Sequence, residues 1–327
     1  MVDNEGVICD SAATCAVCGA AGRVTHAGLS DREFAAPGVW SLRECGRAAC
    51  GLGWLDPRPR KAEIGKLYQS YWTHDGETTD AGEPVPSTVD SVGVKLLAKR
   101  GLAALIPWRA ATYRSDRMHL QGMAPGRLLD IGCGNGGFLG GMARVGWQAH
   151  GIDFDPAALA VARRFPGVTT ALGDVFDQGF DAESFDAVTM SNVIEHVPDP
   201  VETIAECRRI LRPGGRLVVI TPNLRALGHE IFGADWRGLE SPRHLFLFQG
   251  KTLRALAARA EFGKISVFST PGSGPATDYI IAASHRNARA NGRSGIDADA
   301  AALNRRERLL DILGRSRGEW VTMVATR

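Results

Sequence analysis

The segment LLDIGCGNGG at residues 128–137 decides which fold the sequence predicts. An apolar run that ends in closely spaced glycines predicts a β-strand over 127–131, then a tight turn and a helix. Doubly wound α/β folds bind ligands outside the carboxyl ends of their strands, next to such turns. The segment therefore predicts a ligand site at the carboxyl edge of a sheet.

Strands and helices continue to alternate over the rest of the chain. The further predicted strands are 147–153, 168–172, 185–191, 216–221, 264–268 and 320–326. Helical spacing of apolar residues predicts helices near 201–211, 253–260 and 303–313, and RPGG at 212–215 predicts a sharp turn. This order predicts an α/β fold with a doubly wound, mostly parallel sheet of about seven strands. The polar stretch 285–300 and the helix after it are expected to form an insertion before the last strand.

Three regions are predicted along the chain. Residues 1–60 form a small N-terminal module, 61–122 a linker and helical lid segment, and 123–327 the ligand-binding α/β domain. Within the linker, 73–91 is rich in Gly, Pro and Thr and predicts a loop, whereas 94–108 has the spacing of an amphipathic helix. Because that helix enters the α/β domain directly from the loop, we expect it to act as a lid over a substrate site.

The N-terminal module carries four of the seven cysteines, arranged in two pairs. Two residues separate Cys15 from Cys18, and four separate Cys45 from Cys50. Two such pairs on glycine-containing turns are typical of a zinc site with four thiolate ligands. We therefore expect a zinc-ribbon-like module that holds structural zinc, with free buried cysteines as the alternative.

Charge and composition exclude several classes of protein. The chain has 38 Lys and Arg residues against 36 Asp and Glu residues, and this net charge of +2 gives no reason to expect nucleic acid as a partner. The first residues lack the basic and apolar regions of a signal peptide, and no apolar run is long enough to span a membrane. We therefore expect a cytoplasmic protein that acts on a small molecule, and the sequence does not predict its oligomeric state.

The glycine loop alone leaves two kinds of ligand open. Gly132, Gly134 and Gly137 also satisfy the GxGxxG pattern of dinucleotide-binding proteins, and Asp153 follows at the distance of a ribose-binding acid. Asp130, however, comes just before the first glycine, where a carboxylate would repel a pyrophosphate and attract ammonium and sulfonium groups. A nicotinamide-dependent oxidoreductase is therefore the weaker interpretation.

Five segments, in this order, resemble class I S-adenosylmethionine-dependent methyltransferases over roughly residues 123–327. They are LLDIGCGNGG, GIDFDP, LGD, FDAVTMSNVIEHVPDP and LRPGGRLVVITPN. The resemblance implies that Asp130 and the glycine loop line the methionine and ribose part of the cofactor, Asp153 holds the ribose hydroxyls and Asp174 meets adenine. The residues expected to contact the cofactor are Asp130, Gly132, Cys133, Gly134, Asn135, Gly136, Asp153, Phe154, Asp174, Val175, Ser191 and Asn192.

A second resemblance concerns the methyl acceptor. Trp236 and SPRHLFLF at 241–248 resemble a segment of small-molecule methyltransferases from polysaccharide and natural-product pathways, several of which also carry a cysteine-paired N-terminal module. The resemblance implies O-methylation of a sugar or natural-product intermediate. Nitrogen or carbon acceptors, and a cofactor-binding scaffold protein without turnover, are the alternatives.

A hydroxyl acceptor of high pKa needs a general base, and two histidines are candidates. His196 follows the predicted strand at 185–191, and His244 lies in the loop-rich segment before the helix near 253–260. A neutral imidazole near pH 7 suits that role. Glu195 and His196 could instead bind a divalent metal, although two adjacent residues make an incomplete ligand set.

Overall fold

The computed structural model describes residues 1–69, 117–270, 275–296 and 299–327. The predicted loop at 73–91 and the predicted lid helix at 94–108 lie outside the described residues. Two compact units are present. The first combines the N-terminal residues with Asn192–Ala205 and Val219–Met323, and the second combines the residues leading up to Ser191 with Glu206–Val218 and Val324–Arg327. The three regions predicted from the sequence remain a prediction.

The N-terminal residues form more strands than their turn-rich sequence suggests. They are β1 (Val2–Asn4), β2 (Val7–Asp10), β3 (Gly22–Leu29), β4 (Trp40–Cys45), β5 (Gly53–Asp56) and β6 (Arg58–Pro59). β1, β2 and β6 form one antiparallel sheet, and β5, β4 and β3 form a second one with β12 (Phe246–Leu247). Pro59 is tolerated because β6 is an edge strand. A short 3₁₀ helix, Lys61–Tyr68, follows.

A seven-stranded, mostly parallel sheet confirms the predicted fold class. Its strands are β7 (Arg127–Ile131), β8 (Gln148–Asp153), β9 (Val168–Leu172), β10 (Phe185–Ser191), β11 (Leu211–Pro222), β13 (Ile265–Thr270) and β14 (Trp320–Thr326). Their spatial order is β13-β14-β11-β10-β7-β8-β9. β7 pairs in parallel with both β8 and β10, and β8 pairs in parallel with β9. The strand order reverses at β7, so the carboxyl ends of β7 and β10 form the topological switch point where such sheets bind ligands.

The described α-helices confirm four predictions, among them the helix after the glycine turn. They are α1 (Gly137–Ala143), α2 (Pro156–Ala162), α3 (Pro200–Ile210), α4 (Leu227–Phe232), α5 (Gly250–Arg259), α6 (Pro275–Ala290) and α7 (Ala300–Ile312). α1 is the helix predicted after the glycine turn. The helices predicted near 201–211, 253–260 and 303–313 are α3, α5 and α7. The polar stretch predicted from residue 285 begins within α6, a helix that the sequence analysis did not predict. This helix buries Ile281, Ser284 and Ala288 at helical spacing. None of the described helices is long and apolar enough to cross a membrane.

Strand β11 begins at Leu211, before the turn predicted at 212–215 and the strand predicted at 216–221. The backbone N–H of Gly214 donates to the carbonyl of Arg327 at 3.0 Å, and the N–H of Arg327 donates to Gly215 at 2.9 Å. These backbone hydrogen bonds draw the glycines of the RPGG segment into the strand. The sequence pattern could not reveal them because Arg327 lies far along the chain from the RPGG segment.

Close packing of α1 and α2 depends on a glycine at the start of α1. Gly136 has a φ of +76°, and a Cβ atom there would lie 2.6 Å from the Cβ of Ala162 in α2. The left-handed backbone and the lack of a side chain are therefore both needed at this position.

We expect Gly136→Ala to lower the free energy of unfolding by about 2–4 kcal/mol, because it adds a left-handed backbone penalty to overpacking. Gly65→Ala is the matched control, since no atom of the described residues lies within 4 Å of a Cβ at that position. Urea denaturation of both variants measures the difference. A loss below about 0.5 kcal/mol for Gly136→Ala, the range of ordinary surface substitutions, would contradict this packing.

Candidate functional site

Asp130 lies near the carboxyl end of β7, directly opposite Thr189 of β10. The hydroxyl of Thr189 donates to Asp130 Oδ1 at 2.6 Å, and the Asp130 residue is only 6% exposed. Burial raises the pKa of Asp130 to about 7, the hydrogen bond from Thr189 opposes that rise, and the charge of Asp153 adds to it. A buried carboxylate with this pKa gains from a cationic ligand, which would favour its ionised form.

The glycine loop joins β7 to α1 and is tied to β8. The backbone N–H of Gly132 donates to Ile152 at 2.8 Å, and that of Gly134 donates to Asp153 Oδ2 at 2.8 Å. Asp153 Oδ1 accepts from the N–H of Asp155 at 3.0 Å, and Asn135 Oδ1 accepts from Gly137 at 3.2 Å. Each Asp153 oxygen has a lone pair beyond the one that accepts a backbone N–H, so the carboxylate can still accept hydrogen bonds from hydroxyl groups.

Two residues of the predicted cofactor set turn their side chains into the core. Cys133 is buried, and a Cβ on Gly151 would lie 2.5 Å from its Sγ atom. Val175 is 2% exposed. Only the backbone of these two residues is therefore available to a ligand.

An exposed apolar surface follows β8 and β9 in the second unit. Phe154 is 70% exposed, Leu172 57% and Phe176 49%. Asp153 and Leu172 are register partners, and the N–H of Gly173 donates to the carbonyl of Asp153 at 2.9 Å, so the two strand ends lie side by side. Exposed aromatic side chains at such an edge can stack on a nucleobase. The sequence had indicated Phe154 but neither Leu172 nor Phe176.

Asp174 organises the turn after β9. Its Oδ1 atom accepts from the backbone N–H groups of Phe176 at 2.9 Å and Asp177 at 3.0 Å. This carboxylate therefore fixes the backbone that carries Phe176, in addition to any contact with a ligand. Ser191 is the exposed last residue of β10, and Asn192 follows it with a φ of 55°.

A second cluster, in the first unit, contains both candidate bases. The rings of His196 and His244 are 4.7 Å apart between centroids. The Nδ1 atom of His244 lies 2.9 Å from the carbonyl oxygen of Gly238, which can only accept, so Nδ1 carries the proton and Nε2 the lone pair. Burial lowers the pKa of His244 to about 3, and it also lowers the pKa of His196. A base with a pKa near 3 is a weak proton acceptor, so His196 is the better of the two candidates.

Tyr68 belongs to this cluster, although the sequence gave no indication of it. Its hydroxyl lies 2.9 Å from His196 Nδ1, and the carbonyl oxygen of Arg243 lies 3.0 Å from the same atom. Both contacts engage Nδ1, which leaves Nε2 of His196 for a substrate. Tyr68 is therefore a candidate positioning residue for the imidazole.

Glu195 lies beside the histidines with no exposed surface. Its Oε2 atom accepts from the hydroxyl of Thr221 at 2.8 Å, whereas Oε1 has no hydrogen-bond partner among the described residues. Burial raises the pKa of Glu195 to about 8. One ligand atom each from Glu195, His196 and His244 lies within 4.8 Å of the others, so His244 is a candidate for the third ligand that the sequence-based metal hypothesis lacked. The cluster can therefore act in proton transfer, with His196 as the base beside the buried acid Glu195, or it can bind a cation.

The four paired cysteines of the N-terminal residues also come together in the first unit. The Sγ atoms of Cys15 and Cys50 are 3.6 Å apart, those of Cys18 and Cys45 are 3.4 Å apart, and all four lie within 4.8 Å of one another. These distances exceed the ~2.05 Å of a disulfide. They fit tetrahedral zinc, whose ~2.3 Å bonds to sulfur separate the sulfur atoms by about 3.8 Å.

Residues 107–267 match a family model described as a methyltransferase domain. The ubiquinone biosynthesis O-methyltransferase of Cereibacter sphaeroides is 32% identical over 194 residues, which cover 56% of this chain and 71% of that protein. The protein of the same name from Xanthomonas oryzae pv. oryzae is 39% identical over 153 residues, or 44% of this chain, and the chain spans 62% of its length.

Among solved structures, a methyltransferase from Thermotoga maritima described as a possible histamine N-methyltransferase matches 64% of this chain and 86% of its own. The identity is 20% and the TM-score 0.46. The identity and coverage of the Cereibacter relative decide the classification, and the match to the family model agrees with it. The chain belongs to the family of class I S-adenosylmethionine-dependent methyltransferases.

Proposed function

We propose that this chain transfers the methyl group of S-adenosylmethionine to a hydroxyl oxygen of a small molecule. The observation that carries the proposal is the buried Asp130 carboxylate at the switch point, next to the glycine loop. It suits a cationic ligand and opposes a pyrophosphate, which argues against the dinucleotide alternative. The exposed aromatic surface after β8 and β9 supports a nucleobase nearby in the second unit.

Oxygen is the proposed acceptor atom. The relatives are named as ubiquinone biosynthesis O-methyltransferases, which supports oxygen over the alternative nitrogen or carbon acceptors. A hydroxyl of a sugar or natural-product intermediate is our proposal for the substrate. Turnover of such an acceptor would exclude the scaffold-protein alternative.

The protein residues would contribute proton transfer and positioning. S-Adenosylmethionine, when bound, supplies an electrophilic methyl group. His196 Nε2 would take the proton of the acceptor hydroxyl as that oxygen is methylated. The carbonyl oxygen of Arg243 accepts from Nδ1–H of His196, which keeps the lone pair on Nε2, and the Tyr68 hydroxyl contacts the same nitrogen and fixes the ring.

The affinity for S-adenosylmethionine should rise with pH through the pKa of Asp130, about 7. Because only the ionised carboxylate attracts the cation, we expect up to about tenfold tighter binding at about pH 8 than at about pH 6. Asp130→Asn should remove this dependence. Thr189→Val should move the rise to higher pH, since it deletes the hydrogen bond that lowers the pKa. Calorimetric titration at several pH values measures this, and pH-independent binding by the wild type would contradict the role of Asp130.

His196→Asn should lower kcat by about 10²–10⁴-fold on an acceptor that the wild type methylates, while binding of S-adenosylmethionine stays unchanged. His244→Asn is the matched variant and should cost less, because the low pKa of His244 makes it a poor base. Asparagine keeps an N–H donor near the Nδ1 position in both variants. Equal kcat values for His196→Asn and the wild type would contradict the assignment of His196 as the general base.

The same assay distinguishes the cation alternative. Loss of activity on chelation, with recovery on adding Mg²⁺ or Mn²⁺, would assign Glu195 and the two histidines to a metal instead. Activity that is insensitive to chelator would support His196 as a metal-free base.

We also propose that Cys15, Cys18, Cys45 and Cys50 hold a structural zinc ion, because four thiolates leave no open position for chemistry. The cluster is linked to the histidine segment. Thr252 Oγ1 donates to the carbonyl of Cys50 at 2.6 Å, and the N–H of Leu55 in β5 donates to Leu245 at 3.0 Å. Loss of zinc should therefore loosen residues next to His244.

Purified wild type should contain about one zinc per chain, and Cys15→Ser should contain none. Cys9→Ser is the matched control, because Cys9 is buried but does not belong to the cluster. Metal analysis gives the content, and hydrogen exchange at Phe246–Leu247 should be faster in Cys15→Ser than in Cys9→Ser. Equal zinc in the two variants would contradict the site.

A further inference from the structure

The first unit contains a polar cavity that the methyl-transfer proposal does not use. Its volume is about 200 Å³, and its lining comes from residues 27–33, residues 234–243 and the end of α6. Pockets for drug-sized ligands usually measure about 300–1,000 Å³. This cavity therefore suits a single ring or a fragment of similar size rather than a whole extended substrate.

Ion pairs form one wall of the cavity. Arg243 Nη1 donates to Asp31 Oδ2 at 2.6 Å, and Arg237 Nε donates to Glu33 Oε2 at 2.7 Å. Glu240 Oε2 lies 2.9 Å from Arg237 Nη1, and Glu240 Oε1 accepts from Arg243 Nε at 3.2 Å. Burial alone would raise the pKa of Glu240, but its neighbours His244, Arg237 and Arg243 lower it below the ordinary value. Because these charges already have partners, a charged ligand would have to separate buried pairs, whereas a neutral ligand would not.

Neutral hydrogen-bonding groups complete the lining. Asn287 and Asn291 donate their amide N–H groups to Asp235. In the part of the chain that the structure describes, their amide oxygens have no protein partner, and neither do the hydroxyls of Ser30 and Ser241. Amide oxygens accept from hydroxyl groups, and serine hydroxyls both donate and accept. A ring that bears several hydroxyls matches this set.

Two residues of the cavity lining also contact the histidine cluster. Glu240 lines the cavity, and its Oε2 atom lies 3.6 Å from His244 Nε2. Arg243 also lines it, and the carbonyl oxygen of Arg243 lies 3.0 Å from His196 Nδ1. We propose that this cavity is the subsite for an uncharged, hydroxyl-rich ring of the methyl acceptor. This inference rests on the proposed function, because it assumes that the histidine cluster serves the acceptor.

The test measures binding of simple probes by calorimetry or saturation-transfer NMR. The probes are glucose, galactose, glucose 1-phosphate and catechol, each added to the full chain with S-adenosylmethionine present. We expect a neutral monosaccharide to bind, and Asn287→Leu to weaken it about three- to tenfold, as the loss of one neutral hydrogen bond predicts. Asn304→Leu is the matched control, since Asn304 lies on α7 outside the cavity and should leave sugar affinity unchanged.

Each result decides between the two proposals. If S-adenosylmethionine binds but no sugar does, or if only catechol or glucose 1-phosphate responds to Asn287→Leu, the subsite is wrong and the methyl-transfer proposal survives. If S-adenosylmethionine itself fails to bind, the proposed function fails first. Should Asn287→Leu lose its fold by circular dichroism, Ser30→Ala on the exposed loop replaces it, and an unchanged sugar affinity in that variant overturns the proposal.

Discussion

The hydrogen bond between Thr189 and Asp130 is the interaction on which the proposed ligand site of the second unit depends. It joins the two neighbouring strands β7 and β10, whose carboxyl ends form the switch point, and holds a carboxylate where water has little access. Ionising such a group costs free energy unless a positive charge compensates it, and the pKa of about 7 expresses that cost. The glycine loop then begins at the next turn, with Asp153 fixing its backbone. Sheet topology, loop and acid together favour a cationic, nucleoside-bearing ligand.

The first unit is organised around buried charge. Glu240 bonds to two arginines, Arg237 and Arg243, and these bond in turn to Glu33 and Asp31 near the N-terminus. Breaking a buried pair by removing one partner usually costs about 3–5 kcal/mol, so this network fixes the segment that carries His244. Strand β5 adds backbone hydrogen bonds to the same segment through β12. The N-terminal residues thus contribute to the histidine cluster directly, and Tyr68 is the clearest example.

The elements whose structure follows from local sequence pattern could be predicted from the sequence. The bounds of β7, β9, β10 and β14 follow from apolar runs between turns and were predicted to the residue. The cysteine spacing correctly indicated four thiols that lie close together. α6 was not predicted because its buried face includes Ser284, a polar residue that interrupts the apolar pattern. Its burial is possible because its hydroxyl donates to the carbonyl of Ile280 within the helix.

The histidine cluster was only partly predictable for a different reason. His196 and His244 were indicated by their positions after predicted strands, but Tyr68 lies 128 residues from His196 along the chain. No periodicity encodes such a contact. The roles of Glu240 as a shared partner and of Leu172 and Phe176 as exposed surface likewise depend on tertiary neighbours that a sequence pattern does not specify.

Calorimetric titration of the wild type and of Asp130→Asn with S-adenosylmethionine and with NADH tests the central claim most directly. We expect S-adenosylmethionine to bind the wild type, Asp130→Asn to weaken this binding, and NADH to bind neither protein. Binding of NADH by the wild type, or equal affinity of the two proteins for S-adenosylmethionine, would contradict the assignment of Asp130 to a cationic methyl donor.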